Sequence, residues 1–143
     1  KNINYYSTDF EDEFLANYKF DITSIMQSDA TFDTIICYHI LEHIMDDQKA
    51  IAELYRVLKP NGNIYIQTPF KEGEIYEDDS IILPKERLKH FGQDDHVRIY
   101  SRNGLKNRLN KNGFKVKQKN YQLKEDDYHF GFKSPETILI AKK

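Results

Sequence analysis

Glycine is missing from the first 61 positions: all six glycines fall at 62, 73, 92, 104, 113 and 131. Only glycine lets a backbone approach a ligand very closely, so no glycine-rich loop opens this chain. Cysteine is nearly absent too. Cys37 stands alone, which excludes an internal disulfide framework and a multi-cysteine zinc site and fits a reducing compartment. No apolar run approaches the roughly 18 residues of a membrane span, and no basic-then-apolar leader stands at the front. The expectation is a cytoplasmic chain with no membrane partner. Basic excess is lacking as well: Lys+Arg 21 against Asp+Glu 23 leaves −2, the wrong balance for holding phosphate backbones, so nucleic acid is not an expected partner.

What is present can fold. The 143 residues are 39% hydrophobic with 9 Phe and 10 Tyr, too aromatic for disorder and the right size for one core, so residues 1–143 read as a single domain.

Strands are expected over Ile3 to Phe10 and Tyr18 to Ile22, where Tyr and Thr are frequent. The continuous β-branched run Phe32 to Tyr38 has the pattern of a parallel strand buried on both faces. Asp46 and Asp47 can cap a helix whose Ile51, Leu54, Tyr55 and Leu58 form one apolar stripe. Lys59-Pro60-Asn61-Gly62 should end that helix, with Gly62 free to take positive φ. Asn63 to Thr68 is the next strand, and Pro69 to His96 reads as a long loop without periodicity. Its acidic run Glu72 to Asp79 reads as a solvated face. Ser101 caps a second helix, with Tyr100 stapled on Leu105 and Gly113 closing it. Phe114 to Tyr121 and Glu136 to Ala141 form an antiparallel hairpin, alternating lysines guarding its edge. The class is α/β: a mostly parallel sheet with an antiparallel edge.

Two stretches now carry a resemblance: Phe32-Asp33-Thr34-Ile35-Ile36-Cys37-Tyr38-His39-Ile40-Leu41-Glu42-His43, and Glu53-Leu54-Tyr55-Arg56-Val57-Leu58-Lys59-Pro60-Asn61-Gly62. They resemble the fourth strand, helix and Lys-Pro-x-Gly turn of the class I S-adenosylmethionine-dependent methyltransferases. The resemblance implies a Rossmann-like sheet, S-adenosylmethionine as cofactor, and a small-molecule or sugar-type methyl acceptor. It also implies a first strand and glycine-rich loop that this chain does not carry. A whole βα unit of about 40 residues is then missing upstream, and the resulting sheet gap favours self-association.

Carried over position by position, the resemblance places Asp9 on the cofactor ribose and Asp21 with Ile22 at the adenine. It places Cys37 and Tyr38 beside the cofactor at a strand end. A carboxylate can accept two hydrogen bonds from a diol, and ligands of open α/β sheets bind at carboxyl strand ends; both aspartates also suit ordinary turns. His39 and His96 are the candidate general bases for a hydroxyl acceptor. His96 and Arg98 alternate about Val97, so an extended segment points both toward a substrate, unless Arg98 pairs with Asp94 or Asp95.

His39-Ile40-Leu41-Glu42-His43 also spells the His-x-x-Glu-His pattern of some zinc proteases. That site needs its two histidines on one helix and a third ligand. Here the motif follows a strand directly, so no metal is expected and Glu42 and His43 read as shaping a turn. The rival to an enzyme is a methyltransferase-like domain that binds a partner chain without catalysis, a reading the absent loop supports.

Overall fold

The first two strands of the computed structural model, which describes residues 3–10, 15–122 and 134–143, are short. β1 (Thr8–Asp9) pairs in parallel with β2 (Tyr18–Lys19), so the longer strands expected around them shrink to two residues each. Strand propensity acts through burial by neighbours, and Ile3, Tyr5 and Phe10 are 86%, 74% and 57% exposed.

β3 (Phe32–Tyr38) has the expected bounds and lies parallel to β4 (Leu58–Gln67). β9 (Glu136–Lys142) runs antiparallel to β4, and β8 (Lys115–Tyr121) antiparallel to β9. The hairpin is thus present, its connection lying largely outside the described residues. The sheet order is β3-β4-β9-β8, which makes β3 an edge among the described residues. Burial on both faces, expected for this strand, is therefore not seen: Cys37 is buried but Ile36 is 67% exposed. Register sets Ile36 opposite Tyr65 and Tyr65 opposite Ile140, an apolar row on an open face. The other face, with Cys37, Ile64, Ile66, Leu139 and Ala141, is the core.

Helix α1 (Asp47–Val57) covers that core with Ala50, Ile51, Leu54 and Val57. Asp46 is its cap, accepting from the Lys49 amide at 3.0 Å. The helix stops one residue before Leu58, which opens β4, because Pro60 cannot continue a helix. Lys143 closes the helix end, donating to the Tyr55 and Leu58 carbonyls at 2.7 and 2.9 Å. The positive φ expected of Gly62 belongs instead to Asn61, at 67°. What Gly62 supplies is room: a Cβ there would stand 2.8 Å from Leu58 Cγ and 2.9 Å from the Asp33 carbonyl oxygen.

The stretch expected to be a loop holds structure. Helix α2 (Pro84–Phe91) starts on proline and ends on Gly92 at φ 89°, the asymmetry that marks helix ends. Short strands β5 (Phe70–Lys71) and β6 (Tyr76–Glu77) flank β7 (Arg98–Ser101) in a second sheet. Ser101 caps α3 (Arg102–Lys111) as expected, accepting from the Gly104 amide at 3.1 Å.

A buried polar cluster joins α1 to the β5-β7-β6 sheet and α3. Tyr100, fully buried, donates to Asp47 Oδ2 at 2.5 Å. Arg108 bonds Asp47 and Glu77, and Arg98 Nε bonds Glu77 at 3.0 Å. Burial pushes the Tyr100 hydroxyl far above its ordinary range, and Asp47 beside it adds to that. Glu77 is not the solvated residue its acidic neighbours suggest. Burial alone would raise its pKa, but hydrogen bonds from Arg108 and Arg98 hold it below the ordinary value of 4.5.

Three outcomes follow from this packing. Gly62→Ala lowers stability by about 1–3 kcal/mol in urea melts. Asp47→Ala leaves Arg98 and Arg108 with Glu77 as the one carboxylate between them and removes an acceptor of the buried Tyr100 hydroxyl, lowering stability by about 3–5 kcal/mol, often enough to unfold a domain. Because Glu77 has a depressed folded pKa, its contribution is present above pH 4.5 and lost as pH falls below it. Glu77→Gln therefore flattens the acid limb of the stability–pH curve, and an unchanged limb would refute the linkage.

Candidate functional site

The carboxyl ends of β3 and β4 meet at His39. Its amide donates to the Gln67 carbonyl at 2.9 Å, and its φ of 52° turns the chain sharply off the sheet. The turn drops directly into the 3-10 segment Leu41–His43. Glu42 thereby points inward, its side chain 1% exposed, with Oε1 3.2 Å from His39 Nδ1. A carboxylate behind one imidazole nitrogen fixes the ring and leaves the other nitrogen to act, the orientation a general base needs.

Two histidines far apart in sequence complete the group. His43 sets Nδ1 3.0 Å from Asp95 Oδ2 and packs edge-on against His96, ring centroids 4.6 Å apart. His96 is buried; desolvation, and then His43, lower its pKa below the ordinary imidazole value. The Val97 amide donates to the Glu42 carbonyl at 2.9 Å, tying the strand after His96 to the turn.

Of the residues singled out from sequence, His39 and His96 both approach Glu42, His39 at Oε1 from the exposed side and His96 from the buried side together with His43. Arg98 is close but otherwise engaged. Besides Glu77 it donates to the carbonyls of Leu41 at 3.2 Å, Met45 at 2.8 Å and Ile44. It is 4% exposed, so it braces the turn instead of facing a substrate. Its carboxylate partner is Glu77, not Asp94 or Asp95; Asp95 goes to His43.

The residues that the resemblance assigns to the cofactor lie at or just past neighbouring strand ends. Asp9 closes β1, half-buried. Asp21 accepts from the Thr23 amide and hydroxyl, both at 2.8 Å on Oδ1; those bonds hold its carboxyl below the ordinary range. Ile22 packs against the core. Cys37 faces inward, its thiol pushed up to about 12 by burial and the charge of Glu42, while Tyr38 faces the open side, 41% exposed.

An open cleft of about 490 Å³ lies on the other side of Arg98, lined by Met45, Asp47, Glu77, Asp79 and Arg108 among others. Sequence reasoning missed its polar members. The doubled aspartate at positions 46 and 47 was the available signal, since one carboxylate suffices to cap a helix.

A family described as a methyltransferase domain matches residues 3–119. Among curated proteins, an uncharacterized protein of Methanocaldococcus jannaschii, MJ0638, is 32% identical over 77 residues, covering 51% of this chain and 34% of that protein. The ubiquinone biosynthesis O-methyltransferase of Rickettsia akari is 33% identical over 58 residues, 41% of this chain and 23% of the relative. The matches thus span about a third or less of those relatives' lengths. Among solved structures, a SAM-dependent methyltransferase from Archaeoglobus fulgidus superposes with TM-score 0.65 at 17% identity, over 95% of this chain and 74% of that one. By the extent of the family match and by its fold, the chain belongs to the class I S-adenosylmethionine-dependent methyltransferases.

Proposed function

We propose that the protein transfers the methyl group of S-adenosylmethionine to a hydroxyl of a small-molecule acceptor, with His39 as general base. The observation that carries the reading is His39 at the strand crest with Glu42 Oε1 behind its Nδ1 at 3.2 Å. In this mechanism the acceptor O–H passes its proton to His39 Nε2 as the oxygen lone pair attacks the sulfonium methyl. The new O–C bond forms as the C–S bond breaks, its electrons remaining on sulfur. Glu42 stabilises the imidazolium that results. Much of the rate comes from holding the two reactants in line.

On the same reading Asp9 bonds the ribose hydroxyls, and Asp21 with Ile22 borders the adenine. Cys37 contributes packing behind the site, and Tyr38 lines its open side. His96, being buried, belongs to the floor of the site. A further βα unit in the whole protein would pair with the edge of β3 and cover Ile36, Tyr65 and Ile140. Support for it lies in a β-branched strand that has no second neighbour among the described residues. The same exposed row is what a partner-binding domain would offer, and ligand binding separates the two.

Calorimetric titration of S-adenosylhomocysteine into the whole protein should show one site, weakened about ten- to hundredfold by Asp9→Ala, the loss expected for a charge-assisted hydrogen bond. His39→Asn should leave that affinity intact and lower kcat by about 10²- to 10⁴-fold. Absence of S-adenosylhomocysteine binding would sink the enzyme reading and favour the partner-binding one.

A further inference from the structure

Three side chains able to ligate a metal converge just past the end of β3. Glu42 Oε2 is buried and has no hydrogen-bond partner among the described residues. His43 commits Nδ1 to Asp95 Oδ2 at 3.0 Å, so in its neutral form its proton sits there and Nε2 presents a lone pair. His96 is buried with its ring against that of His43, centroids 4.6 Å apart, and brings a ring nitrogen to the same point. One ligand atom from each of Glu42, His43 and His96 lies within 4.8 Å of the other two.

An unpartnered buried carboxylate oxygen is expensive. A cation held between it and the two imidazole nitrogens would supply the missing partner. We propose that Glu42, His43 and His96 bind a divalent transition-metal ion, with Asp95 as the outer carboxylate that orients His43. Two imidazoles and one carboxylate suit zinc, manganese, iron or cobalt and leave coordination positions open. The Asp95–His43 pair is the arrangement that fixes the tautomer of a metal-ligating histidine.

The geometry needs little adjustment. Ligands held at about 2.0–2.2 Å sit about 3–3.5 Å apart, so the trio draws in by about an ångström or two at its widest. His43, with a side chain 30% exposed, gives the ion a way in, while Glu42 and His96 form the buried floor. Because His39 shares the Glu42 carboxylate, such an ion would sit beside the proposed base and could hold and acidify the acceptor hydroxyl. That last extension rests on the methyltransferase reading; metal binding itself does not.

The test uses the whole protein stripped with chelator and titrated with Co²⁺, followed by visible absorption, with Zn²⁺ as competitor. One equivalent of Co²⁺ should bind and be displaced by Zn²⁺, and Glu42→Gln, His43→Asn and His96→Asn should each weaken binding at least thirtyfold. His90→Asn, on α2 beside the Tyr76 hydroxyl, should leave it unchanged. Circular dichroism checks folding; should the buried variants unfold, the half-exposed His43→Asn carries the comparison. Melting temperature provides a second readout. Without metal, Glu42→Gln should be as stable as the parent or more so, since an amide can donate to a facing imidazole; with Zn²⁺ the parent alone should gain. Less than half an equivalent bound, or binding that survives all three substitutions, overturns the site. S-adenosylhomocysteine titrated into the same samples keeps the two readings apart: its binding should persist in the metal-site variants, and its absence everywhere would count against the methyltransferase reading alone.

Discussion

The guanidinium of Arg98 holds the site in place. It reaches from the second sheet to the carbonyls of Ile44 and Met45, which the 3-10 segment does not bond within itself, and to that of Leu41, which also accepts from the Ile44 amide. Without that brace the backbone between β3 and α1 would have to find water in a place from which water is largely excluded. The charge is balanced close by: Arg98 and Arg108 face Asp47 and Glu77, two cations against two anions. Tyr100 spans the group, with its hydroxyl on Asp47 and its ring within 5.8 and 5.9 Å of the two guanidinium carbons. A buried ionic network of this kind is weak as a source of net stability but demanding in geometry. Through Arg98 it anchors the backbone of the turn that carries Glu42 and His43.

The main sheet shows the opposite condition, an element whose composition exceeds its burial. Phe32 to Tyr38 has the residues of a central strand, yet its free edge and one face lie open, with Ile36 67% exposed. The parallel register with β4 is nonetheless well defined, running from Thr34–Asn63 to Tyr38–Gln67. Register survives because the inward face alone, through Cys37, Ile64 and Ile66, penalises a one-residue slip that would turn those side chains outward. Gly62 guards the same register from the other end, since only a residue without a Cβ fits there between the Leu58 side chain of its own strand and the Asp33 carbonyl of β3.

These two conditions explain what could be read from residues alone. Periodicity and caps are local, so β3, α1, α3 and the terminal hairpin were legible, including the Ser101 cap. The strands at Thr8 and Tyr18 were overread because propensity says nothing about which neighbours will cover them. The helix at Pro84 was missed because its residues, Pro84 to Phe91, contribute only Phe91 to the buried set, leaving little apolar stripe to detect. Proline at its start and glycine at its end were the surviving signal. Arg98 was recognised as important but assigned outward, since alternation fixes which residues share a face without saying whether that face meets solvent or protein.

His39-Ile40-Leu41-Glu42-His43 makes the same point most sharply. Read linearly, the pattern asks for His39 and His43 on adjacent turns of one α-helix, and a strand directly before it removes that helix. The left-handed turn at His39 and the short 3-10 segment separate the two rings instead. His39 stays outside, its side chain 56% exposed, with Glu42 beneath it, while His43 is paired with His96 from 53 residues away. The constellation that forms is therefore set by tertiary packing: the Val97 amide on the Glu42 carbonyl and the Arg98 side chain on the turn bring His96 to its place. No α-helix carries the motif, and the same Glu42 and His43 meet in three dimensions a histidine that no linear pattern includes.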